Sequence, residues 1–112
     1  MSQTPTTQKV LIIEDNDLQS AAMKRSLAAA CQSANIKVEI DVTAYLNRAL
    51  RWATRNQYDL ISTDMQYPAL MGSQILIDAG MQFIFTAELE KVSCPIVLCT
   101  GARKQEVEII RA

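Results

Sequence analysis

The sequence contains no histidine. That absence excludes serine–histidine and cysteine–histidine catalysis, and any phosphohistidine formed on this chain itself. Its three cysteines, Cys31, Cys94 and Cys99, are odd in number and lack metal-ligand spacing. A zinc site is therefore not expected, and they read as small core residues in a reducing cytoplasm. A net charge of -1 offers no electrostatic footprint for nucleic acid or for an anionic membrane. No apolar run reaches the roughly 18 residues of a membrane span. Residues 1–8 are polar rather than charged-then-greasy and read as a short disordered tail. No glycine-rich loop follows the first apolar run. The sequence there is Glu14-Asp15-Asn16-Asp17, which would repel the phosphates of a nucleotide or flavin.

What is present is one domain's worth of chain, 112 residues with 49% apolar content, enough to bury a core. Short apolar runs alternate with helical stretches. Residues 9–13 (KVLII) suit a strand covered on both faces. From Asp17 to Ala34, Met23, Leu27, Ala30, Cys31 and Ala34 recur at helical spacing. Residues 37–42 alternate Val38, Ile40 and Val42 with Lys37, Glu39 and Asp41, as in a half-exposed strand at a sheet edge. Thr43 is placed to cap a second helix with the stripe Leu46, Ala49, Leu50 and Ala53. Residues 58–63 form a third strand ending at Asp64, and Pro68 and Gly72 break the chain into a loop. Residues 73–90 read as a third helix, 95–100 (PIVLCT) as a fourth strand, and 103–111 as the start of another helix.

Alternation of this kind predicts an α/β fold with parallel strands, right-handed crossovers and helices on both faces. The edge-like second strand fits the flavodoxin-like, doubly wound order 2-1-3-4. Such sheets place their sites at the carboxyl ends of the strands, where strand order reverses. Glu14 and Asp15 follow strand 1, Asp64 follows strand 3, and Thr100 closes strand 4. Three carboxylates converging there need a compensating cation. All-oxygen ligands favour a hard, partly hydrated Mg²⁺.

These segments resemble the receiver domains of two-component response regulators. KVLIIED resembles the family's first strand with its acidic pair, with Glu14 where aspartate is commoner. YDLISTDMQYPALMG resembles the phosphoacceptor segment, with Asp64, then Pro68 and Gly72, and with Tyr67 where methionine is usual. PIVLCTGA resembles the fourth strand, with Thr100 followed by Gly101 and Ala102. The resemblance covers residues 9–112. It implies a phosphoacceptor switch rather than an enzyme, in which Asp64 takes a phosphoryl group from a sensor histidine kinase or a phosphotransfer protein. It further implies that Asp15, Asp64 and the backbone carbonyl of Gln66 ligate Mg²⁺, that Glu14 acts through a water, and that Thr100 is the switch hydroxyl. The alternative is a degenerate receiver serving only as a protein-interaction module.

Two departures shape the remaining expectations. The stretch from Gly72 to Pro95 is longer than the family needs, so the third helix or its loop carries an insertion. The family continues through a fifth strand and a fifth helix, with a lysine at the end of that strand, whereas this sequence stops at Ala112. Lys104 comes too soon after Thr100 to be that lysine. A receiver lacking its fifth strand and helix is expected, with an output domain or effector protein as its partner. Its apolar strand 4 would become an open edge through which the chain self-associates.

Overall fold

A computed structural model of the chain describes residues 6–99 and the backbone of residues 107–110. The apolar run at 9–13 lies in β1 (Thr6–Ile13), which pairs in parallel with β2 (Ile36–Thr43) on one side and β3 (Leu60–Asp64) on the other. Val10 to Ile13 are all buried, with helices covering both faces of the sheet, which is why the run is continuous rather than alternating. β1 starts earlier than the polar composition of residues 6–8 suggests. Thr6, Thr7 and Gln8 stand opposite Ile36, Lys37 and Val38, so backbone pairing with β2, not apolar burial, extends the strand. The rest of the expected tail lies outside the described residues.

Beyond β3 the sheet continues with β6 (Ile96–Cys99), parallel to β3, and β7 (Val107–Ile110), antiparallel to β6. The order β2-β1-β3-β6-β7 contains the expected 2-1-3-4 as its first four strands. Two expectations at the far edge are corrected. The segment read as a helix at 103–111 contains a strand. This strand runs antiparallel to β6, so it is not the parallel fifth strand of the family, which is absent among the described residues as expected. A parallel return would need a crossover of about a dozen residues or more, and only residues 100–106 separate the two strands. Val107, Ile109 and Ile110 are β-branched and favour a pleated surface. β6 is therefore not an open edge: Ile96 to Cys99 stand opposite Ile110 to Val107. The route to self-association expected there is closed.

The helices follow their stripes. α1 (Asp17–Ser33) is capped by Asn16, whose Oδ1 accepts the Gln19 N–H at 2.9 Å, with Asp17 in the first turn where the helix dipole favours an acid. Asn35, with φ 57°, lies just past its end. α2 (Leu46–Arg55) buries Leu46, Ala49 and Ala53 as its periodicity predicts. Thr43 does not cap it: Tyr45 is the cap residue, without a side-chain cap bond, and Thr43 ends β2 with its hydroxyl accepting the Tyr45 N–H at 3.4 Å.

The third helix is shorter than expected. α3 spans Ala79–Leu89, and residues 73–78 instead belong to a hairpin segment in which β4 (Tyr67–Pro68) pairs antiparallel with β5 (Ile75–Leu76). Gly72, at φ 81°, turns the chain, and the Ser73 hydroxyl closes the turn by donating to the Leu70 carbonyl at 2.7 Å. This hairpin lies in the stretch between β3 and β6 where extra length was expected.

Period-two alternation divides the sheet into two faces. Leu11, Ile13, Ile61, Ile96 and Leu98 meet Leu46, Ala49, Ala53, Phe83, Ile84 and Ala87 in one buried cluster under α2 and α3. Each leucine, isoleucine or phenylalanine among them contributes about 1.5–3 kcal/mol when fully buried. On the other face Val10 and Ile12 lie by α1. There Leu60, Ser62, Val97 and Cys99 line a cleft of about 520 Å³ with Met23 and Leu27. The cysteines are free and half-buried rather than deep in the core. Among the described residues no helix is long and apolar enough to cross a membrane.

Candidate functional site

β1 and β3 are neighbours, and the chain leaves β1 for β2 on one side while β3 lies on the other. That is the switch point of an open α/β sheet. The carboxylates of Glu14, Asp15 and Asp64 meet there, with one oxygen of each within 4.8 Å of the others. Glu14 is buried, Asp64 half-buried and Asp15 exposed. The sequence reading placed these three acids together, and the fold brings them together.

Each acid is set by its strand. The Glu14 N–H donates to the Thr43 carbonyl at 3.0 Å, tying the ends of β1 and β2, and Glu14 Oε2 accepts the Asn16 N–H at 3.3 Å. The buried acid thus also shapes the start of α1. Asp64 is the last residue of β3, and its Oδ1 accepts the N–H of Met65 at 2.8 Å. Gln66 follows in the exposed turn. Thr100, the expected switch hydroxyl, and Lys104 lie outside the described residues.

The donor set suits a hard divalent cation. Oxygens about 2.0–2.1 Å from Mg²⁺ stand about 3–4 Å apart across an octahedron, close to the spread of these three. Asp15 is exposed and Asp64 half-buried, so both present a carboxylate oxygen to a cation, while Glu14 is buried and suits a role through water. Asp15→Ala is therefore expected to weaken Mg²⁺ binding more than Glu14→Ala. Titration calorimetry checks the ranking, and the reverse order would overturn the assignment of roles.

Sequence reasoning missed what supports Asp64 from beneath. Thr63 and Tyr67 are fully buried, and their hydroxyls lie 2.8 Å apart. Burial pushes the Tyr67 phenol well above its ordinary 10.0, and the charge of Asp64 adds to the rise. Gly80, in the first turn of α3, donates its N–H to the Met65 carbonyl at 2.9 Å. The signals were a tyrosine at an unusual place and a glycine inside a helical pattern. Neither can be interpreted without the tertiary contact. Among the described residues no buried side-chain polar atom is left without a partner.

No protein-family model matches the chain, and no curated protein matches it. Among solved structures, the chain is similar to the receiver domain of a sensor histidine kinase from Pseudomonas aeruginosa PAO1, determined with a magnesium ion coordinated in its active-site cleft. The TM-score is 0.56 and the identity 22%, over 81% of this chain and 65% of that one. The likeness shows the fold, that of a receiver domain. The chain spans 65% of the length of the domain it matches.

Proposed function

We propose that this chain is a phosphoacceptor receiver domain of a two-component phosphorelay, working in the cytoplasm as a switch rather than as an enzyme. The observation that carries the reading is the meeting of Glu14, Asp15 and Asp64 at the switch point of a receiver fold, with carboxylate oxygens within 4.8 Å. In this reading an Asp64 carboxylate oxygen attacks the phosphorus of a phosphohistidine on a sensor histidine kinase or a phosphotransfer protein. An oxygen–phosphorus bond forms, the phosphorus–nitrogen bond breaks, and the imidazole leaves with its electron pair and takes up a proton. Bound Mg²⁺, held by Asp15, Asp64 and the Gln66 carbonyl with Glu14 acting through water, would neutralise charge between the acids and the phosphoryl oxygens. Positioning falls to the chain itself: the amide of Met65 fixes one Asp64 oxygen and leaves the other open to react. Thr100 would then answer the added charge and acceptor oxygens with a loop shift read by an output domain or effector.

Amide chemical shifts measured with beryllofluoride and Mg²⁺ test this. Changes are expected at residues 14–17 and 64–67, only when both are present, and not in Asp64→Asn. Shifts that persist in Asp64→Asn, or none in the parent chain, would overturn the proposal and leave an interaction module as the reading.

A further inference from the structure

A buried tyrosine needs a reason for its hydroxyl. The ring of Tyr67 belongs to the core cluster under α2 and α3, where phenylalanine would fill the space equally well. Its Oη, however, lies 2.8 Å from Thr63 Oγ1, and Thr63 Oγ1 donates at 2.8 Å to the Asp64 carbonyl. A threonine hydroxyl has one proton. With that proton on the Asp64 carbonyl, Tyr67 must be the donor in the contact between the two hydroxyls. The chain of bonds runs from the Tyr67 O–H to Thr63 Oγ1, and from the Thr63 O–H to the Asp64 carbonyl.

The consequence falls on one peptide unit. The carbonyl of Asp64 is held by Thr63, and the N–H of Met65, at the other end of the same plane, donates to Asp64 Oδ1 at 2.8 Å. The next carbonyl, that of Met65, is held by the Gly80 N–H at 2.9 Å. Rotation of the Asp64–Met65 plane would release Oδ1 and change which carboxylate oxygen faces Glu14 and Asp15. Bonds in series polarise one another, so the phenol strengthens the contact that stops this rotation.

We propose that the Tyr67 hydroxyl is a positioning residue for Asp64, acting through Thr63 to fix the orientation of the carboxylate that binds the cation and accepts the phosphoryl group. The inference rests on the phosphoacceptor reading. Tyr67→Phe keeps the ring and removes one hydrogen bond, and the control is Tyr58→Phe. That substitution also removes a phenol hydrogen bond, 2.7 Å to Asp41 Oδ2, but at the opposite end of β3.

The measurements are Mg²⁺ affinity and the rate of labelling by acetyl phosphate, with melting temperatures of both variants. Tyr67→Phe is expected to weaken Mg²⁺ binding and slow labelling by about three- to tenfold, the worth of one neutral hydrogen bond, while Tyr58→Phe leaves both unchanged. Thr63→Val should behave alike, and the double variant should be no slower than the slower single one. Equal behaviour of Tyr67→Phe and the parent chain, or equal losses in both tyrosine variants, would overturn the proposal. If the parent chain bound Mg²⁺ but took no label, the phosphoacceptor reading alone would fall, and the affinity ratio would still decide the role of Tyr67. A parent chain that did neither would overturn both.

Discussion

Gly80→Ala is expected to destabilise the fold by on the order of 1–3 kcal/mol and to slow every reaction of Asp64. A β-carbon at this position would lie 2.5 Å from the backbone oxygen of Asp64, 3.0 Å from Leu98 Cδ1 and 3.1 Å from Met65 Cα. The leucine methyl can give way, but the backbone of Asp64 and Met65 cannot move without disturbing the candidate site. Alanine is ordinarily the better helix former by about 1 kcal/mol, so in an unobstructed first turn the substitution would stabilise. The sign of the effect therefore reports the close approach of α3 to the end of β3. Urea denaturation measures it. An unchanged or raised midpoint would show that α3 does not pack against Asp64 as described.

Raising the pH above 10 is expected to unfold the chain steeply. Tyr58 and Tyr67 both hold their protons above the ordinary phenol value of 10.0. For Tyr58 burial is the largest cause, followed by the hydrogen bond to Asp41 and then its charge, and for Tyr67 burial again leads. Below pH 10 folded and unfolded states both carry these protons, and neither tyrosine contributes to the pH dependence. Above it the unfolded chain releases them and the folded chain does not, so the unfolded state binds fewer protons and stability falls as pH rises. The slope from Tyr67 approaches about 1.4 kcal/mol per pH unit. Tyr58 adds less, because its contact with Asp41 is partly open to water. Tyrosinate absorbance and circular dichroism recorded together check this. The two phenols should ionise with unfolding rather than before it, and Tyr67→Phe should flatten the transition. Ionisation of both phenols in a chain that keeps its native spectrum would contradict their burial.

Much of the sheet was legible because its strands announce themselves by burial. The continuous run in β1, the alternation in β2 and the apolar stripe of α2 each follow from where their side chains must go. The three acids were legible because fold class fixes which strand ends meet. The hairpin at 67–76 was not. Ile75, Ile77 and Leu76 also fit a helical window, and the decision lies with Gly72 and the Ser73 turn. Residues 107–110 were misread for a related reason. Valine and isoleucine beside lysine, glutamine and glutamate suit either state in isolation, and the unpaired side of β6 decides for a strand. The strand at 107–110 covers the edge of β6 that was expected to be open. The Tyr67–Thr63 bond was hidden because spacing cannot reveal which hydroxyls converge in a core.

Peptide-level mass spectrometry after exposure to acetyl phosphate, with and without Mg²⁺, tests the phosphoacceptor claim most directly. The account predicts one phosphoryl group, located on Asp64, that is acquired with Mg²⁺, greatly reduced without it and absent in Asp64→Asn. Labelling at another residue, or equal labelling of the parent chain and Asp64→Asn, would contradict it.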